Sequence, residues 1–303
     1  MKALVDLPTR RVEAWKYSDL AQAMDESVQV VLKRDRADPA VASASGGVIG
    51  ALAAQVGEVE TISVAPGANA VRIDRPRYAN LEPRLLNVDL AEGATLTRIV
   101  IQSGRGDGIY LDAACVRLGA GARLRQFVLA EGGRLARLET HVAVEGEGAE
   151  VELNGVYAVD DGRHADLTSY VTHQAKGGRT RQLIKGVARR GGRGVFQGKI
   201  VVERGAQRTD ARQHHQGMLL EDGAEIFAKP ELMIHADDVA CAHGNTAGGL
   251  DAGALFYMRS RGVPEGEARA LLTEAFLLEA VPEWLPEDER GEIEALIQTW
   301  LRA

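Results

Sequence analysis

The sequence has only two cysteines, Cys115 and Cys241, in 303 residues. This count does not suggest a disulfide framework and favours a reducing compartment in which both thiols are free. No run approaches the roughly 18 apolar residues that a membrane span requires, and residues 1–15 lack the apolar segment of a signal peptide. We therefore expect a cytoplasmic protein with no membrane partner.

Aromatic residues are also scarce, at 5% of the sequence. This scarcity argues against a core built on large rings, whereas the 34 glycines favour thin layers of small aliphatic side chains. The net charge of −7 is unevenly distributed, because residues 176–217 are strongly basic and residues 264–303 are acidic. Different surfaces are therefore expected to face different partners.

Several catalytic motifs are missing from the sequence. There is no Gly-x-x-x-x-Gly-Lys-[Ser/Thr] loop, no His-Glu-x-x-His zinc pattern and no Gly-x-Ser-x-Gly elbow. The chain is therefore not expected to hydrolyse nucleotides alone, and no self-contained active site is indicated.

Hydrophobic periodicity divides the chain into three parts. Residues 1–57 are predicted to form an N-terminal helical segment, with Ser18 as a candidate cap, followed by a Gly/Ala/Ser-rich linker over 35–57. Residues 58–250 alternate apolar and polar positions in short stretches, as strands do. Residues 251–303 are predicted to form a helical domain, with helices beginning near Pro264 and Pro286.

A Gly-Ala step recurs through the strand region. Its glycines are Gly93, Gly121, Gly148 and Gly205, so the intervals are 28, 27 and 57 residues, the last about twice the others. A turn repeated at a nearly constant interval predicts a coil-by-coil β-solenoid. A β-sandwich with evenly spaced turns is the alternative.

The stretch ELMIHADDVACAHGNTAGGLD, residues 231–251, carries most of the candidate chemistry. If residues 231–243 form one strand, Cys241 and His243 share a face with His235 and lie about 7 Å apart, opposite an aliphatic packed face. A thiolate and an imidazole in this arrangement suit iron and other borderline metals, iron–sulfur species included. Two ligands do not complete a site, however, and a buried cysteine beside a surface histidine is the structural alternative.

The basic stretch at residues 176–217 leaves other functions open. A β-solenoid enzyme acting on acidic polysaccharide would use such a surface. RNA binding is less favoured, because Phe196 is the only aromatic residue in its central run RTRQLIKGVARRGGRGVFQGKI. A solvated basic face is the simplest interpretation.

Three motifs resemble one known family. The segment ADDVACAHGNT at 236–246 precedes LFYMRSRG, residues 265–277 read EGEARALLTEAFL, and residues 13–20 read EAWKYSDL. Together they resemble the SufB/SufD family of iron–sulfur cluster assembly scaffolds, and His243-Gly244 in place of a His-Glu step makes the chain SufD-like. Asn245 departs from the family pattern.

The resemblance implies a right-handed parallel β-helix flanked by an N-terminal helical segment and C-terminal helices. It also implies a non-catalytic scaffold subunit that binds a SufB-like chain, or a second copy of itself, through the last coils and the SufC ATPase through the C-terminal helices. Cys241 and His243 would then be metal ligands at the subunit interface, where a nascent iron–sulfur cluster is held transiently. A flavin in the assembled complex is a further expectation.

Overall fold

The computed structural model describes residues 7–24, 46–76, 81–104 and 106–303. Within these residues the chain forms a short 3₁₀ turn at Glu13–Trp15 and five α-helices. The helices are α1 Leu20–Ala23, α2 Gly47–Val56, α3 Ala252–Ser260, α4 Glu265–Leu278 and α5 Glu287–Arg302. The strands are β1 Glu58–Val64, β2 Asn69–Asp74, β3 Leu81–Leu90, β4 Thr95–Gln102, β5 Ile109–Leu118, β6 Arg123–Ala130, β7 Leu135–Val144, β8 Glu150–Val159, β9 His164–His173, β10 Arg179–Ala188, β11 Arg193–Val202, β12 Asp210–Leu219, β13 Glu225–Ile234 and β14 Ala240–Gly248.

The strands form two parallel sheets of seven strands each. The odd sheet runs from β1 to β13 through the odd-numbered strands, and the even sheet runs from β2 to β14 through the even-numbered strands. Residues that pair in neighbouring strands of one sheet are one coil apart in the sequence. This separation ranges from 26 residues, at Glu58–Arg84, to 32 residues, at Phe196–Ala228. Because each strand pairs in parallel with the strand one coil away, the predicted β-solenoid is confirmed and the β-sandwich alternative is wrong.

The turns between odd and even strands explain the repeat seen in the sequence. Gly93, Gly121 and Gly148 adopt φ values of 66°, 60° and 67°, which glycine reaches without steric cost. The 57-residue gap covers two coils, and Gly177, with φ 68°, occupies the intermediate turn. The turns stack through hydrogen bonds, as where the Gly121 N–H donates to the Glu147 carbonyl at 2.8 Å.

The space between the two sheets is filled mainly by small aliphatic side chains, as the composition predicted. A row of polar side chains nevertheless runs through it. Arg98 is 1% exposed, pairs with Asp112 at 2.6 Å and donates to Gln126 at 3.0 Å. Gln126 in turn donates to Thr140 at 2.8 Å. These side chains thus bind partners in neighbouring coils, although Arg98 Nε itself makes no hydrogen bond.

The N-terminal segment differs from its prediction. Asp19, not Ser18, caps α1, because its carboxylate accepts a hydrogen bond from the Gln22 N–H at 2.9 Å. The Ser18 hydroxyl is fully buried and donates to Asp166 on β9. The segment therefore packs on the outer face of the odd sheet and does not form one continuous helix.

The predicted linker at residues 35–57 is wrong over its second half. Residues 35–45 lie outside the described part of the chain, but Gly47–Val56 forms α2. Ile49, Leu52 and Ala53 of this helix are buried against the outer face of β3 and β5. Packing on the sheet stabilises a helix that its small residues alone would not hold.

The two predicted C-terminal helices are confirmed as α4 and α5. Ile293, Ile297 and Trp300 of α5 are buried, whereas Leu271 of α4 is 44% exposed. Among the described helices, none is long and apolar enough to cross a membrane.

Candidate functional site

Residues 231–251 include a turn that connects two strands. β13 ends at Ile234 and β14 begins at Ala240, so the prediction of a single strand over 231–243 is wrong. The chain must cross here from the odd sheet to the even sheet. His235 lies in the turn and does not share a strand face with Cys241. The turn is held to the preceding coil, where the Asp238 N–H donates to Gln207 Oε1 at 2.9 Å.

Cys241 and His243 lie on the same face of β14, as predicted, but that face is directed into the solenoid. Their register partners on β12 are Ala211 and Gln213, both 0% exposed. The expected assignment of Cys241 to the face opposite the aliphatic residues is therefore wrong. The residues are not sealed in, because β14 is the last strand of its sheet and His243 remains exposed.

The Cys241 thiol is half-buried at this end of the core. It packs against the buried aliphatic cluster of the core, as do the partly buried Leu232 and Val239. Burial raises the pKa of the Cys241 thiol, and the nearby Asp210 carboxylate adds to that effect, although a hydrogen bond from the Ala211 backbone opposes it. A metal cation would supply the charge needed to stabilise the thiolate.

A hydrogen-bonded chain that the sequence analysis missed lies beside this pair. On β12, His215 is 1% exposed and bonds Asn245 Oδ1 through Nδ1 at 2.7 Å and the Tyr157 hydroxyl through Nε2 at 2.9 Å. The ring also stacks on Phe196 with centroids 5.0 Å apart. Burial lowers the pKa of His215 to about 4, so the imidazole is neutral and donates through one nitrogen only.

Asn245 therefore belongs to the same face as Cys241 and His243. Its side chain is fixed from behind by His215 while the residue itself is exposed at the end of the solenoid. The only sequence signal was its departure from the family pattern. His214, the neighbour of His215, points to the opposite face and is exposed, as expected for adjacent strand residues.

The last coil also offers two free strand edges. β13 and β14 terminate the odd and even sheets, so their outer backbone edges pair with no other strand of the described chain. Pro230 suits β13 because proline is tolerated at a sheet edge, where its missing N–H removes no ladder bond. Ile234 is 43% exposed at the same end. We call this surface, formed by β13, β14 and their connecting turn, the open end.

The open end has too few ligands for a complete metal site. Within residues 7–24, 46–76, 81–104 and 106–303, no group of three or more His, Cys, Asp or Glu side chains is arranged to hold a metal ion. Cys115 cannot add a ligand at the open end, because it lies on the outer face of the odd sheet. Burial there raises the pKa of its thiol to about 11. Cys241 and His243 can therefore act only as part of a site.

The basic stretch is largely paired with acidic side chains. Its arginines contact carboxylates on neighbouring coils. The pairs are Arg179–Glu150, Arg181–Asp210, Arg190–Asp161 and Arg193–Glu225. Because these arginines are paired with carboxylates of the chain itself, the basic stretch gives no support to a polysaccharide-degrading enzyme or to an RNA-binding role.

Comparison with known proteins decides the family. Residues 48–276 match the family described as SUF system FeS cluster assembly, SufBD core domain. The chain belongs to the SufBD family. The match spans nearly all of α2, every described strand and most of α4, so the open end and the candidate pair both fall inside the region that defines the family.

Individual relatives support this assignment. An iron-sulfur cluster assembly SufBD family protein of Synechocystis is 32% identical over 213 residues, which cover 69% of this chain and 47% of the relative. A SufBD family protein of Mycobacterium bovis is 28% identical over 307 residues, 96% of this chain and 74% of the relative. The iron-sulfur cluster assembly protein SufD of Escherichia coli is 34% identical over 148 residues, 49% of this chain and 35% of SufD. The chain thus spans about half the length of the Synechocystis relative and about a third of Escherichia coli SufD.

Proposed function

We propose that this SufBD family chain is a non-catalytic scaffold subunit on which an iron–sulfur cluster is assembled at the open end. The observation that carries the proposal is the position of Cys241 and His243 on β14, the last strand of the even sheet, whose outer edge pairs with no other described strand. A thiolate and an imidazole suit iron, but they fill only part of its coordination. A second polypeptide docked at the open end supplies the remaining ligands.

The partner in this proposal is a SufB-like chain or a second copy of this chain. Free edges of β13 and β14 can extend both sheets across the contact, because unpaired N–H and C=O groups are templates for a further strand. The half-exposed Ile234 supplies apolar surface to bury there. The cluster is cargo of this contact and is held only until it is transferred.

The C-terminal helices are the proposed docking surface for an ATPase of the SufC type. Phe256 and Tyr257 of α3 are 73% and 59% exposed, and Leu271 of α4 is 44% exposed. Exposed large apolar side chains on neighbouring helices are typical of a protein–protein interface. ATP hydrolysis would then be supplied in the complex by a subunit other than this chain. The expectation of a flavin in the complex stays a prediction.

The ligand role is tested on the complex purified anaerobically from the native cell. Cys241→Ala and His243→Ala should each lower iron and acid-labile sulfide per complex while subunit association persists. Thr246→Ala is the matched control, since Thr246 is exposed on the same strand but lies on the opposite face. Full iron and sulfide in both variants would refute the ligand role.

The docking role is tested by charge substitution. Ile234→Asp should weaken association with the partner chain at least tenfold, because a charge at the buried centre of an interface is strongly unfavourable. Val71→Asp is the control, since Val71 is 63% exposed on β2 at the other end of the solenoid. Phe256→Ser should release the ATPase and keep the partner chain. Equal effects of Ile234→Asp and Val71→Asp would contradict the assignment of the open end.

A further inference from the structure

A cavity of about 400 Å³ lies between the N-terminal segment and the odd sheet, and none of its described lining residues belongs to β13, β14 or their connecting turn. Its walls come from the N-terminal segment, from the residues that begin β7, β9 and β11, and from two turns. The lining side chains that bear on its chemistry are Arg10, Asp19, Gln22, Arg134, His164 and Arg193. A volume of this size accommodates a small metabolite.

The cavity is lined by three guanidinium groups and one carboxylate. Arg10, Arg134 and Arg193 come from three separate parts of the chain and converge on it. The carboxylate of Asp19 is engaged at the start of α1, where it accepts the Gln22 N–H. Three of these four charged groups are therefore cationic, before the carboxylates that pair with Arg134 and Arg193 are counted.

The three arginines differ in how far they are neutralised. Arg193 binds Glu225 through Nε and one terminal nitrogen, and Arg134 binds Asp107 in the same way. For Arg10, no hydrogen bond or ion pair to another described residue is present, and its positive charge contributes to lowering the pKa of His164. Arg10 therefore retains its full capacity to bind an anion.

The other residues that line the cavity are also compatible with a bound anion. His164 is 9% exposed, and burial together with nearby arginines lowers its pKa to about 4, so it is neutral and adds no competing ion pair. Gly162 and Gly191 line the cavity at positive φ without a side chain, which leaves room for a ligand to approach the backbone.

We propose that this cavity is a binding site for a phosphate-bearing small molecule, with Arg10 as its principal ligand. A single arginine satisfies a planar carboxylate in bidentate fashion, whereas a phosphate presents oxygens in several directions and can be bound by several guanidinium groups at once. Three arginines from three directions therefore favour phosphate over a monocarboxylate. The site is independent of the cluster-assembly role proposed for the open end.

The test titrates the full chain with inorganic pyrophosphate by isothermal titration calorimetry at pH 7.5 and constant ionic strength. We expect saturable binding of one pyrophosphate per chain. Arg10→Gln should weaken it by about tenfold or more, as expected for loss of one charge-assisted contact. Arg11→Gln is the matched control, because the adjacent Arg11 is exposed and does not line the cavity.

Three outcomes would overturn the proposal. They are no saturable binding by the wild-type chain, equal weakening by Arg10→Gln and Arg11→Gln, and citrate binding as tightly as pyrophosphate. Arg10 is exposed, so Arg10→Gln is expected to fold normally, which an unchanged melting temperature without ligand would verify. Pyrophosphate should raise the melting temperature of the wild-type chain and of Arg11→Gln equally, and that of Arg10→Gln by less at the same concentration.

Discussion

Trp15 packs against the guanidinium group of Arg137, whose Cζ lies 4.1 Å from the centroid of the indole. Both residues are buried, at 3% and 0% exposure. Arg137 also pairs with Glu139 and Asp166, each at 2.6 Å, and Asp166 accepts the Ser18 hydroxyl. The EAWKYSDL motif is thus attached to the odd sheet through a buried charge network, which gives this motif a structural role.

The first prediction follows from that contact. Trp15→Ala should lower the free energy of unfolding by roughly 3–5 kcal/mol, because it leaves a large cavity and removes the aromatic face from Arg137. Urea denaturation followed by circular dichroism measures the change. Val12→Ala is the control, since Val12 belongs to the same segment but is 46% exposed, and it should change stability by less than about 0.5 kcal/mol. Similar losses in both variants would contradict the docking of Trp15.

The second prediction concerns Gly186, which makes room for the ring of Tyr157. A Cβ atom at Gly186 would lie 1.8 Å from Tyr157 Cζ. Gly186→Ala should therefore destabilise the chain by about 1–3 kcal/mol or more, because the buried ring has no space to move. Chemical denaturation is the measurement.

Gly266→Ala provides a control of opposite sign. Gly266 lies in α4, and a Cβ atom there would have no other atom within 4 Å, so alanine should stabilise the helix by about 0.5–1 kcal/mol. A stability gain for Gly186→Ala would show that the Tyr157 ring is not packed as described.

The repeat was predictable from sequence because a local requirement fixes it. Each of these turns has a residue at positive φ, and glycine occupies that position at Gly93, Gly121 and Gly148. The repeat can therefore be recognised from the spacing of these glycines in the sequence. Nothing comparable marks the turn at 235–239. It contains neither glycine nor proline, and β13 ends at Ile234 because the chain must cross to the other sheet.

The site was predictable only in part, for a related reason. Cys241 and His243 share a face because strand residues two positions apart always do. The contribution of Asn245 depends on a bond to His215, thirty residues earlier, and only the register of β12 and β14 brings the two together. Helix α2 escaped prediction because its small residues give little contrast between faces, and packing on the sheet decides its structure.

The third prediction is a loss of stability in acid. Burial lowers the pKa values of His164, His173 and His215 to about 4, whereas the unfolded chain has ordinary histidines near 6.5. Below pH 6.5 the unfolded state binds more protons than the native state, so stability falls as the pH is lowered towards 4. Each histidine contributes up to about 3 kcal/mol to this loss. Urea denaturation at a series of pH values measures it.

The variant His215→Phe measures how much of the pH dependence of stability comes from His215. His215→Phe keeps an aromatic ring between its neighbours but removes the titrating group, so the pH dependence of stability should decrease by about one proton between pH 6.5 and 4. His214→Phe is the control, because His214 is exposed on the same strand. An undiminished pH dependence in His215→Phe would show that the pKa of His215 is not lowered in the native state.

The fourth prediction ranks the two thiols by reactivity. Burial raises the pKa of Cys115 to about 11, so only roughly one thiol in a thousand is ionised at pH 8, and the thiolate is the form that attacks iodoacetamide. Cys241 also has a raised pKa, but it lies at the open end of the solenoid. In timed alkylation followed by mass spectrometry, Cys241 should react first and Cys115 only slowly.

The single variants Cys115→Ser and Cys241→Ser show which alkylation rate belongs to which cysteine. Labelling in urea gives the reference rate of each thiol in the unfolded chain. Labelling of Cys115 in the native chain as fast as in urea would contradict its burial beneath α2. Binding of the partner chain at the open end should then protect Cys241 and leave the rate at Cys115 unchanged. Because Cys115 lies on the outer face of the odd sheet, this difference reports directly on which end of the molecule the partner covers.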